Sequence, residues 1–416
     1  MGGNVGTQQL QQDLGERRFD LDWVRIGAFM LLILYHVGMY YVTWGWHVKS
    51  PAASHAIEPL MMLTSPWRLS LLFLVSGVAT AYLLARTRQG FLGARSLRLL
   101  VPLLFGMLVI VPPQSYLEVV EKLNYPGSFF DFYRLYITAY HGFCRGSDCL
   151  IIPTYNHLWF VAYLWVYTLV LYGLVRLAPN LVPSLRRAAE RAMAGVGVLL
   201  IPLAYLFTTR LLLAGRFPQT DALVNDWYNH ANYFAMFVAG FTLAATKAPW
   251  VALERMRWHS LGVALLSWAC SSAFMGAYAT HSGPPPEPIV VLWHTVYTCE
   301  QWLAIAAALG FARRHLNRDS AARRYLTTAI FPVYILHQTV IVVVAHSLKP
   351  AHLYPLIEGF LLVSVTAACC FLGYEAIRRL NPLQPLFGLA LERRTAAPRK
   401  PTLAALRVAG VPDDIT

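Results

Sequence analysis

Apolar residues dominate this chain in runs of about twenty, broken by short polar segments. A bilayer's hydrocarbon core asks for about 20 residues of helix, so each run reads as one membrane-spanning helix. Ten such runs are predicted, near 23–43, 66–85, 98–117, 157–177, 193–213, 230–246, 258–279, 290–311, 325–346 and 355–377. The weakest is 193–213, which contains Pro202 and ends at Arg210. The fold class expected is therefore an all-α integral membrane protein. Residues 1–18 form a polar, flexible N-terminal segment without the apolar centre of a signal peptide, 19–388 the ten-span domain, and 389–416 a basic tail.

Composition strengthens this reading. Of 416 residues, 57% are hydrophobic and only 13% charged, about half the charged share of a soluble domain. The net charge of +13 does not point to nucleic acid, because the basic residues cluster in the short segments between apolar runs. Arg86, Arg88, Arg95 and Arg98 mark one such segment, and Arg313, Arg314, Arg318, Arg323 and Arg324 another. Alternate segments are basic, so the positive-inside rule puts both termini in the cytoplasm. The large segment 118–156 then lies outside. It is rich in aromatic residues, suited to an interfacial belt or to stacking on sugar rings. Its Cys144 and Cys149 are either a disulfide or two free thiols.

The first span, FDLDWVRIGAFMLLILYHVGMYY (19–41), holds Arg25 near its start and His36 deep inside. Ionisable groups in hydrocarbon are costly and mark function. Eleven residues are about three helical turns, so the two share a face about 16 Å apart along the axis. His337, Glu300 and the pair Ser76–Gly77 fall at similar depth on other predicted spans. Each also has a structural reading: a helix–helix hydrogen bond for His337, an ion-pair partner for Glu300, close packing for Ser76–Gly77. Arg68 and His157 sit at the outer boundary, where snorkelling or a belt position explains them equally. The sequence shows no zinc spacing, no phosphate-cradling glycine loop and no serine-hydrolase elbow.

A neutral imidazole is the usual general base near pH 7. A cation one pantetheine arm below it, on the cytoplasmic side, suits an acyl-CoA thioester whose phosphates meet Arg25, helped by Arg95 and Arg98. The stretches LDWVRIGAFMLLILYHVG, WGWHVKS, WRLSLLFLVSG, RSLRLLVPLLFGMLVIVPPQ, HLWFVAYL and VYILHQ cover most of residues 19–388. On these the chain resembles the membrane-bound acyltransferase family 3, within it the branch that succinylates periplasmic glucans.

The resemblance implies a multi-pass protein of the bacterial inner membrane. It would move a succinyl or acetyl group from acyl-CoA to hydroxyls of a periplasmic glucan or other polysaccharide. His36, Arg25, Glu300 and His337 are the catalytic candidates. Arg25, Arg95, Arg98 and Ser76 are donor-binding candidates; Trp46, His47, Arg68, His157 and Trp159 are acceptor-binding candidates. No metal and no cofactor beyond acyl-CoA as co-substrate is expected. Two other readings stand: a transporter or flippase with a midplane proton-relay histidine, and a non-catalytic membrane sensor.

Overall fold

The computed structural model describes residues 18–87, 89–278, 283 and 285–390. The expected N-terminal segment and basic tail fall almost wholly outside these. A helix stands at each of the ten predicted spans: α1 (Phe19–Tyr41), α3 (Arg68–Arg86), α4 (Phe91–Phe105) continued by α5 (Pro112–Leu123), α7 (Trp159–Leu177), α9 (Gly197–Leu213), α10 (Trp227–Leu243), α11 (Ala248–Tyr278), α12 (Glu287–His315), α13 (Ala321–Leu348) and α14 (Pro355–Arg379). Short helices α2 (Glu58–Met62), α6 (Phe129–Ile137) and α8 (Leu181–Ala192) lie between them.

Among the described residues, seven helical stretches are long and apolar enough to cross a membrane, and the pair α8–α9, bent by 116°, is either a broken eighth span or a re-entrant loop. The protein is thus an all-α, multi-pass membrane protein. Helix α10 has only 17 residues, about 25 Å at 1.5 Å per residue. Segment 176–191, expected to be a loop, holds most of α8, whose Arg186 is buried.

Helices α3 and α10 approach more closely than any side chain would permit. A Cβ on Gly77 would lie 1.9 Å from the Phe237 carbonyl oxygen, and one on Gly240 1.9 Å from that of Leu74. Small residues facing each other in this way let helix backbones touch inside a membrane. The packing reading of the Ser76–Gly77 pair is the one realised at Gly77.

The α4–α5 stretch carries Pro102, then a π-helical turn over Gly106–Ile110, then Pro112 and Pro113. Such a turn frees backbone carbonyls, which must find partners at membrane depth. They do: Tyr136 Oη donates to Met107 O at 2.8 Å, Tyr133 Oη to Leu108 O at 3.1 Å and Thr339 Oγ1 to Ile110 O at 2.7 Å. The break re-aims α5, which brings Gln114 against α13.

In segment 118–156, Cys144 and Cys149 form a disulfide (S–S 2.07 Å) across a two-stranded hairpin. The aromatics Phe132, Tyr136 and Phe143 pack with Val119 and Ile152 into a buried cluster. They form a small core of their own, while Phe130 (76% exposed) and Tyr140 (43%) stay at the surface.

Candidate active site

His36 and His337 meet. His36 Nδ1 lies 2.7 Å from His337 Nε2, and His337 Nδ1 lies 2.5 Å from the Tyr334 carbonyl oxygen. A carbonyl only accepts, so His337 carries its proton on Nδ1. Its Nε2 is then an acceptor in the neutral ring, and His36 must donate from Nδ1. This leaves the lone pair of neutral His36 on Nε2, which has no hydrogen-bond partner among the described residues. The backbone of α13 thereby fixes the tautomers of both rings in series.

That lone pair belongs to a ring lining a cavity of about 480 Å³, open at one end. Trp46, His47, Arg68, His157 and Trp159 line the same cavity. All five acceptor-binding candidates are therefore brought to His36. His337 stands behind His36, 0% exposed.

The loop after α1 holds Trp46 and His47 in place. Lys49 Nζ donates to Met39 O at 2.6 Å and to Trp44 O at 3.0 Å, which folds the loop back on the helix end. Burial pushes the Lys49 ammonium down to about 8. His47 Nδ1 lies 2.5 Å from a Glu118 carboxylate oxygen, and its Nε2 accepts from Gln338 Nε2 at 2.9 Å. Gln338 Nε2 also donates to Gln114 Oε1 (3.1 Å), and Gln114 Nε2 donates to Thr339 Oγ1 (2.6 Å) and to His157 Nδ1 (3.4 Å). His157 Nε2 donates to Ile335 O at 3.0 Å. Every donor in this chain meets an acceptor, so the wall around His36 is held in place by a continuous hydrogen-bond network.

The opposite wall comes from α10, α12 and the loop 214–226. It contributes Asn229, Asn232, Tyr233, Tyr297 and Gln301. Asp226, 0% exposed, accepts from Tyr163 Oη (2.5 Å), Asn229 Nδ2 (2.9 Å) and the Thr220 amide (3.2 Å), which pins the loop. Asp221 then stands at the cavity mouth. Its residue surface reaches solvent, but the protein crowding its carboxyl and the nearby Asp226 charge push it up to about 7.

Arg25 lines a separate cavity of about 200 Å³ with Arg18, Asp22, Tyr82 and Arg86, floored by Val75, Val78 and Ala79. Its Nη2 donates to Thr327 O at 3.1 Å. Arg95 lies close enough to Arg25 and Arg98 to feel both charges, although neither Arg95 nor Arg98 lines this cavity. Between Arg25 and His36, on the same face of α1, stand Phe29 and Leu32, each 5% exposed. The Phe29 ring packs on Tyr334 at 5.2 Å and Phe160 at 6.2 Å between centroids.

Three sequence expectations change. Glu300 lines neither cavity: it points at α11, where Ser271 Oγ donates to its carboxylate at 3.2 Å. Ser76 lines neither cavity. Arg68 does not snorkel outward; it is 3% exposed and stacks 3.4 Å from the Tyr35 ring centroid. Gln114 and Gln338 were missed as site residues although both lie in quoted stretches, next to proline and histidine. Asp221 carried no periodic signal at all.

The chain is 23% identical over 391 residues to glucans biosynthesis protein C of Salmonella schwarzengrund (strain CVM19633), covering 89% of this chain and 94% of the relative. The Salmonella typhi protein of that name matches equally, at 23%, and that of Salmonella gallinarum (strain 287/91 / NCTC 13346) at 22%. No solved structure matches the chain. Residues 18–375, which contain both cavities and the linked histidines, match the family described as an acyltransferase domain, and the chain belongs to that family, acyltransferase family 3.

Proposed function

We propose that the protein is an inner-membrane O-acyltransferase that takes an acyl group from cytoplasmic acyl-CoA and places it on a hydroxyl of a periplasmic glucan or other surface polysaccharide. The ten helices are read as ten spans with both termini cytoplasmic, which makes the Arg25 cavity the inner one and the His36 cavity the outer one. The observation that carries the reading is the open Nε2 of His36 in a cavity lined by aromatic and amide side chains, about 16 Å from Arg25 along one helix.

The chemistry follows from the tautomers. The acceptor hydroxyl gives its proton to His36 Nε2 as its oxygen attacks the thioester carbonyl. The resulting imidazolium still donates from Nδ1 to neutral His337, which spreads the charge towards the Tyr334 carbonyl. The tetrahedral adduct collapses by breaking its C–S bond, and the CoA thiolate takes the proton back from His36. An ester and free CoA result, and the base is restored. Arg25 holds the donor's phosphates, with Arg95 and Arg98 adding to the positive field. Trp46, His47, His157 and Trp159 orient the acceptor. The printed name of the relatives supports a glucan acceptor, and the network of amides, phenols and indoles suits a sugar.

The test is transfer by purified protein in detergent. Radiolabelled acetyl-CoA or succinyl-CoA is supplied with a β-glucan oligosaccharide, and the ester is located by mass spectrometry. Label in the oligosaccharide is expected with at least one donor. Thioester hydrolysis without any sugar ester would contradict the acceptor assignment.

A further inference from the structure

Among the described residues, Arg68 is a buried cation that no carboxylate pairs with. It stands at the start of α3 with 3% of its surface exposed and lines the His36 cavity. Its Nη1 makes a 3.4 Å contact with Thr64 Oγ1, its guanidinium lies over Tyr35, and its Nε is buried without a hydrogen-bond partner. The other groups that act on it are the phenols of Tyr233 and Tyr297. Among the described residues no carboxylate pairs with it. Arg323 shows how this protein otherwise treats a buried guanidinium: it is 2% exposed and paired with both Asp22 and Asp319.

A charge taken out of water without a partner is expensive, and arginine does not escape by losing its proton. The fold accepts this cost at one wall of the chamber where the reaction is placed. The planar fork of a guanidinium matches a carboxylate or phosphate edge. Among the described residues the only acid lining the cavity is Asp221, an exposed residue.

We propose that Arg68 is an anion seat in the outer cavity, built to hold one carboxylate-class oxyanion that a substrate carries in. Two sources supply this chemistry: a free carboxylate at the far end of the transferred acyl group, or an acidic substituent on the acceptor sugar. The first source rests on the acyl-transfer reading above; the second does not.

The test measures binding by isothermal titration to the purified full-length protein in detergent, with matched probes. Monomethyl succinate is compared with its uncharged dimethyl ester, and a glucuronate-bearing disaccharide with its neutral glucose counterpart. In the wild type, at least one anionic probe binds about tenfold more tightly than its neutral twin. Arg68→Gln abolishes that preference, and Arg68→Lys retains part of it as a point charge. A preference in the succinate pair assigns the anion to the acyl group, and one in the sugar pair assigns it to the acceptor. Equal binding of both members of both pairs by the wild type overturns the proposal, as does an Arg68→Gln protein that keeps the full preference. If Arg68→Gln does not fold, the wild-type comparison and Arg68→Lys still decide. None of these readouts needs turnover, so the anion seat and the acyl-transfer reading fail separately.

Discussion

At the scale of the residue, the account turns on which nitrogen of His36 holds a proton. Tyr334 O fixes His337, and His337 fixes His36. On the proposed reading His36→Ala deletes the base, and positioned general bases contribute roughly 10²–10⁴-fold. His337→Gln removes the group that orients His36 and shares its charge. A loss of about 10- to 100-fold in kcat, with little change in the acceptor KM, is expected; steady-state kinetics with varied acceptor checks it. An unchanged kcat would make His337 a packing residue. Arg25→Ala is expected to raise the donor KM about tenfold while the acceptor KM stays put, measured by the same assay with varied acyl-CoA. That His36 and Arg25 stand on one helix was legible in the sequence because they share one apolar run at helical spacing. Glu300 was misread because helical rise gives a residue's depth but not the direction of its side chain. Each step along a helix turns the side chain by about 100°. Glu300 accordingly faces Ser271 on α11, while its neighbour Gln301 faces the cavity and donates to Ser70 Oγ at 3.0 Å.

At the scale of the element, two features hold the chamber open and specific. The α3–α10 contact through Gly77 and Gly240 leaves no room for a Cβ. Gly77→Val is expected to push these helices apart and to destabilise the protein by about 1–3 kcal/mol, the usual range for overpacking. Thermal unfolding in detergent measures this, and an unchanged midpoint would mean that the helices part without cost. The second feature is the loop 214–226, pinned by Asp226, which presents Asp221 at the mouth. An acid raised to about 7 is mostly ionised above that pH, where it becomes a charged, acceptor-only partner that binds hydroxyl donors more strongly. The acceptor KM is therefore expected to fall as pH rises through about 7 in the wild type and to lose that inflection in Asp221→Asn. A pH profile of KM checks the sign. Nothing in the sequence flagged this loop, because its residues follow no apolar period and acquire a role only through tertiary contacts. The π turn of the α4–α5 stretch was equally hidden. Its prolines were visible, but the partners of its freed carbonyls come from α6 and α13.

At the scale of the whole molecule, the positions of all ten helices were readable from the apolar runs, since burial in lipid and burial in protein ask for the same residue types. Which helices pack together was not readable, and it is packing that joins residues as distant as His36 and His337, or His47 and Gln338, into one site. The molecule presents a small basic cavity at Arg25 and a large polar one at His36. Buried Leu32 and Tyr334 line the His36 cavity, and Phe29 lies between Arg25 and His36 along α1. The most direct measurement uses proteoliposomes with β-glucan oligosaccharide trapped inside and radiolabelled acyl-CoA added only outside, with vesicles enriched for protein whose Arg25 cavity faces out. The account predicts label on the trapped sugar with the wild type and at least a 100-fold slower appearance with His36→Ala. Equal labelling by the two proteins would contradict it.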